Sequence, residues 1–128
     1  MWRTSERFAC APTSPAEARQ FCARHLAEVL GNRAGAQGMI ADAELIVSEL
    51  LTNAVNAQAQ LTELTLTAHE GYVRIEVHDD AGGKPELQQP GIDDEHGRGL
   101  MIVSALSSDW GVEASTVGKR VWVELSLP

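Results

Sequence analysis

A two-layer α+β sandwich, with a mixed, mostly antiparallel sheet and helices on one face, is the architecture these 128 residues predict. Two observations carry that expectation. Helical periodicity dominates the first half of the chain, and period-two alternation dominates the second, interrupted by one long connection and a short apolar helix. There are no internal repeats, and the length suits one domain, 1–128, around one packed core.

Arg3 to Ala11 reads as a first strand with a polar edge. Ser14-Pro15-Ala16-Glu17 then announces a helix, with Ser as N-cap, Pro at the first helical position and Glu reaching back. Ala18, Phe21, Cys22, His25, Leu26 and Val29-Leu30 share one stripe, and Gly31 stops the helix. Asn32 to Gly38 is expected as a loop. A second helix runs from about Ile40 to about Ala59, with Val47, Leu50, Leu51, Ala54 and Val55 as its core stripe. Opposite them lie Asp42, Glu49, Asn53 and Asn56. Leu45 and Ile46 flank these polar groups, which favours a pocket wall over a plain solvated face.

The hairpin comes next. Leu64, Leu66 and Ala68 alternate with polar residues, Glu70-Gly71 turns the chain, and Val73, Ile75 and Val77 alternate with Arg74, Glu76 and His78. Asp79 has the parity of the apolar set, so its carboxylate points to the core side, whereas His78 points outward. An inward carboxylate is costly unless something donates to it. Backbone N–H groups of the following turn or a ligand amine both satisfy that need. Residues 80–97 form a long aperiodic connection, the kind that serves as a lid or binding loop. A short apolar helix from Gly99 to Leu106 and two strands, Trp110 to Ala114 and Arg120 to Leu127, close the chain. Val121, Val123, Leu125 and Leu127 face the core, leaving Trp122 on the outer face as a partner or homodimer contact or as an incidental exposure.

A net charge of −8 with scattered basic residues argues against a nucleic-acid surface. No apolar run approaches a membrane span, and the opening residues lack the apolar core of a signal peptide, so a cytoplasmic protein without membrane contact is expected. Cys10 and Cys22 are then best read as buried free thiols in a reducing cytosol. An acidic chain that binds a polyanion must do so locally, through helix ends, backbone N–H groups and a metal.

Such local parts are present. Glu49 and Asn53, four residues apart, share a helix face. An amide oxygen with phosphate oxygens and water suits Mg²⁺, and a neighbouring carboxylate can deprotonate a nucleophile. Gly97-Arg98-Gly99 at a helix start offers N–H groups to phosphates, although most such glycines merely turn the chain.

Taken in order, Glu49-Leu50-Leu51-Thr52-Asn53-Ala54-Val55, Asp79-Asp80-Ala81-Gly82-Gly83, Gly97-Arg98-Gly99-Leu100-Met101-Ile102-Val103 and Gly118-Lys119-Arg120-Val121-Trp122 resemble the N box and the three glycine boxes of the GHKL superfamily, shared by histidine kinases, gyrase and MutL. With Trp110-Gly111-Val112, the set looks most like the small single-domain branch, the anti-sigma-factor serine/threonine kinases abundant in actinobacteria. The resemblance implies a Bergerat-type ATP-binding fold. It implies ATP and Mg²⁺ as ligands, Asn53 as the metal-holding amide and Glu49 as general base toward a serine hydroxyl. It further implies Asp79 as acceptor of the adenine amino group and Gly83 as the point where backbone approaches the base. Gly97, Arg98, Gly99 and Leu100 would wrap the phosphates, Lys119 would sit at the adenine end, and residues 80–97 would be the ATP lid.

The implied activity is a regulatory protein serine kinase and anti-sigma factor, acting in transcription regulation on an anti-sigma-factor antagonist and a sigma factor. A non-catalytic ATP-dependent partner-binding module is the alternative. A domain that has lost nucleotide binding and a hydrolase of free ATP are the further readings. The chain departs from the family pattern at Ala81, where glycine is usual, at Asn56-Ala57, where a basic residue and a histidine are common, and at Arg120, where threonine is common.

Overall fold

The computed structural model describes residues 2–81 and 94–128, and of residues 94–98 the backbone alone. The elements are β1 (Trp2–Ala9), α1 (Ser14–Leu30), α2 (Ala36–Asn56), β2 (Leu61–His69), β3 (Tyr72–Asp79), α3 (Asp94–Leu106), β4 (Asp109–Ser115) and β5 (Gly118–Ser126). The strands form one sheet in the order β1-β2-β3-β5-β4. Every pairing among the described residues is antiparallel, so the sheet is not mixed. β2–β3 and β4–β5 are hairpins, and α1 and α2 intervene between the antiparallel neighbours β1 and β2.

The helices cover one face. Phe21, Leu26 and Leu30 of α1, Ile46, Val47, Leu50 and Leu51 of α2, and Val103 of α3 meet Leu64, Leu66, Val73, Ile75, Val77, Val121, Val123 and Leu125 of the sheet in one core. The two antiparallel helices α1 and α2 lie side by side over it.

Several element boundaries differ from the sequence expectation, each for a local reason. Thr13, not Ser14, is the N-cap of α1: the first helical hydrogen bond runs from Glu17 N to Thr13 O. The Ser14 hydroxyl is used elsewhere, accepting from Ala11 N at 2.8 Å and donating to Ala9 O at 2.7 Å. It fastens the bend between β1 and α1. Helix α2 starts at Ala36, earlier than Ile40, because Gly35 adopts a left-handed conformation and serves as N-cap. The same helix stops at Asn56 because Gln58 is left-handed (φ 62°), which turns the chain into β2.

On α2, Ile46 is wholly buried in the core while Leu45 is 44% exposed, so these two do not flank Glu49 and Asn53 as a pocket wall. Asn53 itself is buried. Helix α3 begins at Asp94 rather than at the glycines, and Gly97 and Gly99 lie inside it. Acidic residue types at its start agree with the helix dipole.

The outer face of the sheet is covered by its own long side chains. Arg74 lies 4.4 Å from the Trp122 ring and donates to Glu124 at 2.8 Å. Arg120 pairs with Glu113 and approaches Glu76 at 3.6 Å. Thr65 and Thr67, which alternation assigns to the solvent side, are buried as a result. Trp122 thus has an intramolecular neighbour, and Gly111 opposite it leaves room for the indole, which a Cβ there would meet at 2.7 Å.

Candidate functional site

Two clusters at one end of the sheet bring together residues far apart in the chain. The first lies between α2 and α3. Glu49 and Asn53 are successive turns of one face of α2. Across from them, a Cβ built on Gly99 would meet Asn53 Nδ2 at 3.3 Å, Glu49 Oε2 at 3.5 Å and Asn53 Oδ1 at 3.8 Å. Glycine at this point lets the α3 backbone come down onto the carboxylate and the amide, and a side chain would fill the space in front of both. Leu100 is half-buried beside it.

The second cluster is a row across the sheet. Phe8, Thr62, Asp79, Lys119 and Ala114 are successive partners on β1, β2, β3, β5 and β4. Parity turns Thr62, Asp79 and Lys119 toward the helices. Asp79 is 2% exposed, as its strand position predicts. Its Oδ1 accepts the Ala81 N–H at 3.0 Å, and its Oδ2 faces Lys119 Nζ at 3.7 Å. One of the two donors foreseen for Asp79, the following turn, is therefore present. The lysine is a charge partner that sequence reading missed, although Lys119 is in step with Val121 and Val123 and the same counting would have found its face.

Gly118 makes the row possible. Its φ of +148° and the 2.1 Å approach of a hypothetical Cβ to Asp79 O both require glycine where β5 begins against the end of β3. Next door, Asp80 Oδ1 accepts from Gln60 N at 2.7 Å and Leu61 N at 3.2 Å, tying the α2–β2 connection to the end of β3. The Leu61 and Gln60 N–H groups hold the Asp80 carboxyl below its usual range. Cys10 lies close by. Burial raises its thiol, a hydrogen bond with Thr62 lowers it, and the charges of Asp80 and Asp79 raise it again. Cys10 and Cys22 are both free thiols; Cys22 is buried as expected, whereas Cys10 is only half-buried.

Gly83 lies outside the described residues, as do most of 80–97 and the side chain of Arg98. Among the described residues no three His, Cys, Asp or Glu side chains converge on a metal position. The donor set at Asn53 is instead one amide oxygen, which fits Mg²⁺ held mainly by phosphate oxygens and water. Two surface clefts, of about 400 and 550 Å³, lie elsewhere: one beside Met39, Asp42 and Ser107, the other between β1 and α1 near Phe8 and Phe21. No described helix is long and apolar enough to cross a membrane.

Comparison with solved structures shows the same fold. The histidine kinase domain of the Erythrobacter litoralis EL346 blue-light activated histidine kinase aligns with a TM-score of 0.56 at 20% identity over 88% of this chain. A second structure of that kinase gives 0.58 at 22% identity over 84%. This chain spans 61% and 40% of those two chains. The SiaB-SiaC complex from Pseudomonas aeruginosa aligns with a TM-score of 0.65 at 9% identity, covering 97% of this chain and 89% of that one. No curated protein matches the sequence. A family profile described as histidine kinase-like ATPase domain matches residues 9–125, which take in Glu49, Asn53, the Asp79–Lys119 pair and Gly99. That match extends over nearly the whole fold, and the chain belongs to the histidine kinase-like ATPase domain family.

Proposed function

We propose that this protein is an ATP-binding regulatory serine kinase of the anti-sigma-factor type, which transfers the γ-phosphate of ATP to a serine of an antagonist protein. The observation that carries this reading is Gly99 set over Glu49 and Asn53, with a glycine-dependent aspartate row at the same end of the sheet. A binding module needs no carboxylate beside the metal amide, and Glu49 is half-buried there.

In this mechanism Asp79 accepts from the adenine amino group, and the first two turns of α3, with Gly97, Arg98, Gly99 and Leu100, lie along the phosphates. Asn53 would hold Mg²⁺ through its amide oxygen, and the ion would supply charge neutralisation to the phosphates. Glu49 takes the proton from the substrate serine as its oxygen bonds to the γ-phosphorus. The bond from that phosphorus to the β–γ bridging oxygen breaks, and ADP leaves. The ATP lid of this reading falls within residues 80–97. A neighbour of this fold occurs in complex with a second protein, SiaC, which supports a protein as the partner here. The proposed partners are an anti-sigma-factor antagonist and a sigma factor, in the cytoplasm.

The test is incubation with labelled ATP, Mg²⁺ and candidate antagonist proteins. Glu49→Ala is expected to keep ATP affinity within a few-fold while transfer falls by roughly 10²-fold or more. Joint loss of binding and transfer would make Glu49 structural. ATP binding without transfer in the parent protein would leave the non-catalytic partner-binding module as the function.

A further inference from the structure

Lys119 occupies an unusual place for a lysine. It follows the parity of Val121, Val123 and Leu125, so its side chain runs along the helix-covered face of the sheet and is only 12% exposed. Lysines seldom hold this side of a sheet unless the ammonium has a partner. The partner in view is Asp79, but at 3.7 Å the contact is a charge pair longer than a hydrogen bond. Asp79 Oδ1 is held in place by the Ala81 N–H. The end of the sheet therefore presents a fixed carboxylate beside an ammonium that carries three N–H donors and no acceptor.

We propose that Lys119 is a base-specificity residue that donates directly to N1 of adenine while Asp79 accepts from the exocyclic amino group. This rests on the ATP-binding reading above and assigns a partner to the neighbouring ring atom. Adenine offers a donor (the 6-amino group) next to an acceptor (N1), and the Asp79–Lys119 pair offers an acceptor next to a donor. Guanine offers the reverse at the same two positions, a 6-oxo acceptor next to an N1–H donor. It would set an oxygen against the carboxylate and an N–H against the ammonium, leaving buried groups unpaired. The placement is built into the fold, because Gly118 lets β5 start against the Asp79 carbonyl and so sets Lys119 directly across from Asp79. The same lysine offsets the negative charge of Asp79 before nucleotide arrives.

The experiment is calorimetric titration of the full chain, with magnesium, against ATP and against 1-deazaadenosine triphosphate, in which carbon replaces N1. The parent is expected to bind ATP roughly ten- to a hundredfold more tightly than the deaza analogue, the range for a hydrogen bond to a charged group. Lys119→Met is expected to bind ATP as weakly as the parent binds the analogue, and to bind the two nucleotides equally. Equal affinity of the parent for both nucleotides overturns the assignment while leaving ATP binding intact, and needs no variant. Discrimination that survives in Lys119→Met overturns it as well, since another donor must then read N1. Tighter ATP binding by Lys119→Met overturns it in favour of a lysine that competes with adenine for Asp79. A parent that binds neither nucleotide overturns the ATP-binding reading itself.

Discussion

Asp79 and its neighbours illustrate how single residues organise this end of the sheet. Gly118 has the tightest constraint: a left-handed φ together with backbone contact on Asp79. Gly118→Ala is expected to cost at least about 2 kcal/mol in denaturant unfolding and to weaken adenosine nucleotides by displacing Lys119 from Asp79. Asp80 supplies a pH-dependent tie. Its folded-state carboxyl titrates below the ordinary range, so its two backbone hydrogen bonds stabilise the fold above about pH 4 and lose that contribution as the pH falls through the lowered value. Asp80→Asn is expected to be less stable than the parent at neutral pH and to converge with it in acid; a constant difference across an acid titration would refute this. Asp79 was legible in the sequence because period-two counting holds up to the last residue of a strand. The face of Lys119 follows from the same counting, but its pairing with Asp79 does not, because that needs β5 set beside β3.

Individual elements were legible in kind and less so at their ends. Among the described residues three helices and five strands stand where periodicity puts them, yet α1 is capped by Thr13 rather than Ser14, and α2 and α3 start earlier than expected. A capping motif describes one helix, whereas the cap residue is chosen by the bend into the preceding element. Ser14 is the clearest case, since its hydroxyl bridges Ala9 and Ala11 rather than the first turn of α1. Ser14 is also fully buried, so Ser14→Ala leaves a backbone donor and an acceptor unpaired. A loss of about 1–3 kcal/mol is expected in chemical unfolding, and a loss under half that would mean water replaces the hydroxyl. On α2 the stripe expected for the core proved too narrow. Ile46 is also buried, because α2 is covered by α1 and α3 as well as by the sheet.

For the molecule as a whole, helices on one face and an interlocked polar network on the other give the sheet two different coverings. The network of Arg74, Trp122, Glu124, Arg120 and Glu76 buries Thr65 and Thr67 without a second layer. Strand alternation predicts which face a side chain takes but not how thickly that face is covered. Cys22 reports on the opposite face. Burial pushes its thiol up to about 12, so thiol reagents near pH 8 are expected to leave it unmodified until global unfolding. Labelling of Cys22 at a rate matching that of a surface thiol would show that α1 opens locally. The two histidine kinase structures and the SiaB-SiaC complex keep this architecture at 9–22% identity, which fits a fold specified by pattern and packing rather than by particular core residues.

Periodicity and motif order were sufficient for the α+β class, the inward Asp79, the shared face of Glu49 and Asn53, and the family. These depend on local geometry, which repeats every few residues and can be counted along the chain. The Lys119–Asp79 pair, the seat of Gly99 over α2, the purely antiparallel pairing and the self-covered outer face depend on which distant segments become neighbours. Strand order and helix docking set those neighbours, and they emerge when the whole core packs at once.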